Sequence, residues 1–174
     1  DGFSPKILDP MLYGIILQKE SAHRDLIGLR KLLDNGILEE LFYKKLSAET
    51  WRRLNAIQDD LEQYLCSGEN NVEMIAKKDI AFHQELASAT DNVAVITTYD
   101  SIVKITEDFL YKTIETILQH DAVAYFSESH RGIMEKLAGN NVDELFRRVE
   151  WSYKYWYMTF QEEDSSKSGD AQKT

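Results

Sequence analysis

Proline occurs at Pro5 and Pro10 and nowhere after them in a chain of 174 residues. A proline inside a helix removes a backbone hydrogen bond and clashes with the preceding turn, so its absence leaves long helices open almost throughout. The eight glycines stand singly, whereas a β-sandwich or barrel needs turn signals about every 8–12 residues. The stretches between them are rich in Leu, Glu, Lys and Gln, all good helix formers. The fold class is therefore all-α, and long helices joined by short loops favour an antiparallel bundle of six or seven helices.

Composition narrows the function classes. With 43% apolar residues the chain can build one core, and its length suits one domain. Twenty basic residues against 30 acidic leave a formal charge of −10, which gives no general attraction for nucleic acid or an anionic membrane. The single cysteine, Cys66, excludes an internal disulfide framework and a thiolate zinc cluster. No apolar run approaches the roughly 20 residues of a membrane span, and no secretory signal is visible, so the expected location is the cytoplasm. The chain opens on Asp1 rather than Met, as a fragment would.

Residues 1–10 read as an irregular arm and Met11 to about Gln18 as a short helix. Helices follow over about 22–44, 47–65, 71–89, 93–118, 122–137 and 142–161, and the polar residues 162–174 read as a disordered tail. Gly36 weakens the first long run, Ser47 is an N-cap, and AGNN at 138–141 suggests a left-handed helix end.

Chemistry enters where a polar residue interrupts an apolar stripe. Asp79 and His83 share a face with Ile75, Phe82 and Leu86. His130 shares one with Ile133, Met134 and Leu137, Ser152 with Leu145, Val149 and Trp156, and Arg30 with Leu26 and Leu33. A carboxylate and an imidazole at i, i+4 can bind one cation, a third imidazole from another helix would complete a facial set, and an inward Arg suits a carboxylate. Ordinary alternatives stand beside these. They are an Asp79–His83 hydrogen bond, His130 as a cap or satisfied core residue, Arg30 paired with Asp34 on a partly exposed face, and Ser152 bonded to the carbonyl one turn back. The aromatic residues from Trp151 to Phe160 read as core or dimer surface, and His23 and His120 as surface or cap residues.

Four segments in order carry a resemblance: DGFSP (1–5), LIGLRKLLDNGILEEL (26–41), KDIAFHQELASATDN (78–92) and SHRGIMEKLAGNNVDELFRR (129–148). Together the sequence resembles the effector-binding FCD domain of GntR-type bacterial transcription regulators in the FadR subgroup, over about residues 11–161. The resemblance implies a homodimer without enzymatic activity that binds a small organic acid inside the bundle. It also implies contact with operator DNA only through a separate winged helix before this chain, of which DGFSP would be the end. Many members hold a divalent metal such as zinc, nickel or manganese with one Asp and three His. On this pattern Asp79, His83 and His130 are metal ligands, and Ser152 stands where the third histidine belongs. Arg30, Asn92 and Ser152 are the implied ligand-binding residues.

Serine oxygen is a much poorer ligand for zinc or nickel than imidazole. Metal held by three residues, metal held weakly, and a metal-free site that binds an organic ligand directly are the three readings. A metal-dependent enzyme and a ligand-free dimerisation scaffold are the alternative functions, although no further nucleophile or base constellation supports the enzyme.

Overall fold

The computed structural model describes the backbone of residues 22–171 and the side chains of residues 24–162. The expected arm, the short helix at 11–18 and the His23 side chain lie outside the described residues. Within them the chain is all-α, with seven helices: α1 (Ala22–Lys44), α2 (Ala48–Cys66), α3 (Val72–Ser88), α4 (Val93–Gln119), α5 (Ala124–Ala138), α6 (Val142–Ser152) and α7 (Lys154–Ala171). No helix among the described residues is long and apolar enough to cross a membrane.

Side-chain caps set several helix starts. Ser47 Oγ accepts from the Thr50 amide at 3.0 Å, and Asn71 Oδ1 accepts from the Met74 amide at 2.9 Å. Asn92 caps α4 and Asn141 caps α6 in the same way. Each cap supplies an acceptor to an N–H that has no partner within its own helix. The left-handed residues that end segments are Lys45, Gly68, Asp91 and Asp121. The turn at 138–141 differs from expectation, because Gly139 is extended, with φ −75° and ψ −160°.

Helices α1 and α4 lie at the centre. α1 packs on α3, α4, α5 and α6, while α4 packs on α1, α3 and α7. Between them is one large core that includes Ile37, Leu41, Leu54, Phe82, Phe109 and Trp156. α2 rests on α3 and α5, which brings its inward face against that of α5.

The expected single helix over 142–161 is two. The chain breaks at Tyr153, with φ −97° and ψ 2°. The Ser152 hydroxyl donates back to the Val149 carbonyl at 2.8 Å, and the Ser152 carbonyl receives the Tyr125 hydroxyl at 2.6 Å. The break therefore leaves the Ser152 carbonyl satisfied, and it turns Tyr153 inward. The backbone of α7 is helical through Ala171, past the expected end near Gln161.

Gly36 does not interrupt α1. It is exposed in mid-helix, and a Cβ built on it meets nothing within 4 Å. Glycine loses more backbone freedom on folding than alanine. Gly36→Ala is expected to stabilise the chain by about 0.5–1 kcal/mol, read as a higher urea midpoint with an unchanged slope.

Candidate metal and effector site

The inward polar residues converge. α1 contributes Arg30 and Asp34, α3 contributes Asp79 and His83, α5 contributes His130, and Ser152 and Tyr153 stand at the α6–α7 break. A small cavity between these helices is lined by Arg30, Asp34, Asp79, His83, Ser152 and Trp156, among others, with His130 just behind the lining. The space open to the centre of a water-sized sphere is about 30 Å³. One water needs roughly 10–15 Å³ by that measure, so the cavity suits an ion with a water or a very short anion.

One ligand atom from each of Asp79, His83 and His130 lies within 4.8 Å of the others. His130 Nε2 is 3.1 Å from Asp79 Oδ1. A cation with ligand bonds of about 2.0–2.2 Å sets neighbouring ligand atoms about 3–3.5 Å apart, so a small inward shift gathers the set. One carboxylate and two imidazoles from two helices fit a divalent metal of the zinc, nickel or manganese type. Ser152 lines the same cavity, while its hydroxyl proton is committed to Val149.

The electrostatics suit ligation. Burial pushes the His83 imidazole down to about 4, against the opposing pull of Asp34 and Asp79. At neutral pH the ring is therefore uncharged and keeps a lone pair. Burial pushes the Asp79 carboxyl up. The His130 hydrogen bond and the fields of His83, His130 and Arg30 outweigh that and hold it at about 2. His130 is 1% exposed and stacks on Phe82, with ring centroids 4.0 Å apart.

Arg30 is the unusual member. It is 2% exposed, lies 4.7 Å over the Trp156 ring, and approaches Asp79 Oδ2 only to 3.9 Å. Its Nε and Nη1 have no hydrogen-bond partner among the described residues. The nearby carboxylates keep it charged despite burial. Asp34, weighed from sequence as its exposed ion-pair partner, is instead buried. Tyr99 donates to Asp34 Oδ1 at 2.8 Å and Tyr153 to Oδ2. Burial and the Asp34 charge push both phenols well above their usual range, so they remain donors.

Of the expected residues, Arg30, Asp79, His83, His130 and Ser152 come together. Asn92 does not, since it is exposed at the start of α4 and its side-chain oxygen caps the amides of Ala94 and Val95. Asp34, Tyr99, Tyr153 and Gln58 belong to the site and were not singled out as site residues from sequence. Gln58 carried a usable signal, because it interrupts the Leu54–Leu61 stripe and is fully buried. Its carbonyl oxygen lies 2.8 Å from His130 Nδ1, and its amide nitrogen donates to Glu62. The hydrogen-bonded fork of Arg131, working against partial burial, lowers the Glu62 carboxyl to about 2.

A family model, that of the FCD domain, matches residues 25–150. No curated protein and no solved structure matches the chain.

The Glu62 shift has a fixed sign. Its folded value lies below its unfolded value of about 4.5, so its contribution is present above that pH and is lost as pH falls toward 2. The stability difference between wild type and Glu62→Gln, measured by urea unfolding, is expected to shrink steadily from about pH 5 to about pH 2.

Proposed function

We propose, starting from a chain that belongs to the FCD family, the C-terminal effector-binding domain of GntR-family regulators, that its cavity senses a short carboxylate held jointly by Arg30 and a divalent cation. The observation that carries this reading is the placing of a buried guanidinium with two unfilled N–H groups beside three cation ligands. Asp79, His83 and His130 would hold the metal, which supplies a positive centre for an anionic oxygen. A guanidinium presents paired donors that match a carboxylate.

Charge bookkeeping links the two ligands. With both imidazoles neutral, Arg30 adds one positive charge while Asp34 and Asp79 each add one negative, so the protein groups alone are net negative. That balance disfavours a buried anion. A divalent cation reverses it, and a monocarboxylate then neutralises the site. Metal and effector are therefore expected to bind cooperatively.

The sensing mechanism is a population shift, in which effector favours one arrangement of the chain and biases a DNA-binding domain linked to it. That domain would be a winged helix, in keeping with the FadR-like resemblance. The partner on this domain's own surface is a second copy. The small apolar cluster of Leu26 and Ile102 with Leu29, Leu33 and Ile105 lies between α1 and α4, and nearby Leu32 on α1 is 70% exposed. Leu32→Glu is expected to shift the chain from dimer to monomer in sedimentation equilibrium.

The test of sensing is a thermal-shift screen of short mono- and dicarboxylates with and without zinc, nickel or manganese. A rise in Tm that needs both components supports the reading. Arg30→Gln is expected to abolish the carboxylate response and retain the metal response. His83→Ala is expected to lose bound metal by elemental analysis, and Ser152→His to bind it more tightly. Equal metal content in wild type and His83→Ala would remove the site assignment.

A further inference from the structure

His130 offers two ring nitrogens, and only one of them can serve the cation position. Its Nδ1 lies 2.8 Å from Gln58 Oε1. The direction of that bond is set from the far side. Gln58 Nε2 donates to Glu62 Oε1 at 2.9 Å, and an ionised carboxylate only accepts. Glu62 is itself pinned. Arg131 donates Nε to Oε1 and Nη2 to Oε2, both at 2.8 Å, and the Ser127 hydroxyl donates to Oε1 at 2.5 Å. Arg131 is braced further by Asn55 and Asp59. With the amide nitrogen spent on Glu62, Gln58 can present only its carbonyl to the ring. That bond then forms only with the hydrogen on Nδ1.

We infer that Gln58, oriented by the Glu62–Arg131 pair, is a positioning residue that receives the His130 hydrogen on Nδ1 and so gives the Nε2 lone pair to a cation shared with Asp79 and His83. The competing tautomer would donate Nε2–H to Asp79 Oδ1, 3.1 Å away. That arrangement satisfies the carboxylate and leaves no lone pair for a metal. In the empty site the two acceptors compete for the one hydrogen of a neutral ring, and a cation decides the competition, because it takes the Nε2 lone pair and the Asp79 oxygen together while the Gln58 carbonyl receives the hydrogen on Nδ1. Partners behind a metal-bound histidine act in this way, fixing tautomer and ring orientation. The inference rests on the metal reading proposed above.

The test has two independent readouts on the whole chain. Nitrogen-15 NMR of the zinc-loaded wild type at mildly alkaline pH should show His130 protonated at Nδ1 and bound to zinc through Nε2, the Nε2 signal having moved from its zinc-free position. Gln58→Met keeps the length and removes the acceptor, and it should weaken zinc binding about 10–100-fold while releasing the tautomer preference. The paired exchange Gln58→Glu with Glu62→Gln keeps an acceptor opposite Nδ1, and it should restore both signals even if Gln58→Met folds poorly. Zinc bound through Nδ1, with the hydrogen on Nε2, overturns the inference. Unchanged zinc affinity in a folded Gln58→Met chain also overturns it. A wild type that takes up no zinc defeats the metal reading instead, and elemental analysis of the same sample tells the two failures apart.

Discussion

Arg30 holds a full positive charge at the centre of a helical bundle, 2% exposed and, among the described residues, without a close ion-pair bond. Desolvating such a group costs several kcal/mol unless opposite charge and hydrogen bonds offset it. Much of the interior is arranged around that requirement. Asp79 approaches from α3, Asp34 stands one turn along α1, and Trp156 covers the guanidinium face. Tyr99 and Tyr153 then satisfy the Asp34 carboxylate, which leaves it as fixed negative charge without tying down Arg30. Among the described residues nothing fills Nε or Nη1 of the guanidinium, and the proposed carboxylate would do so.

The same constraint explains the helix break. A continuous helix through residue 153 would carry Tyr153 on a regular period. The break turns its hydroxyl onto Asp34, and the Tyr125 hydroxyl donates to the carbonyl freed at Ser152. Ser152, Tyr153 and Trp156 thus reach one cavity from two short helices. A ligand bound to Arg30 would press on α1, α3 and the α6–α7 junction together. Those are the elements through which a change in the cavity could alter packing elsewhere.

Much of this was legible in sequence. The bounds of α1 are those its leucine and isoleucine spacing implies, because one glycine, Gly36, does not end so long a run. Ser47 is a cap because its oxygen has an amide to serve. Searching for polar residues inside apolar stripes located Arg30, Asp79, His83, His130 and Ser152, all of which reach the site. Gln58 obeys the same rule, but glutamine is an ordinary helix residue and so marks a site weakly. The break at Tyr153 was not legible, since Trp151 to Phe160 keep helical spacing across it and the cause is a contact with Asp34 more than a hundred residues away. Asn92 belongs to a turn whose likeness to the family suggested a ligand role, but its oxygen serves the backbone instead.

The central claim is that Asp79, His83 and His130 form one cation site beside a carboxylate-seeking arginine. A crystal structure of the zinc-loaded chain, with anomalous scattering at the zinc edge, tests it most directly. The account predicts a peak bonded at about 2.0–2.2 Å to an Asp79 oxygen, a His83 nitrogen and His130 Nε2, facing Arg30 across the cavity. Zinc found only on the acidic surface, with the three side chains free of it, would contradict the account.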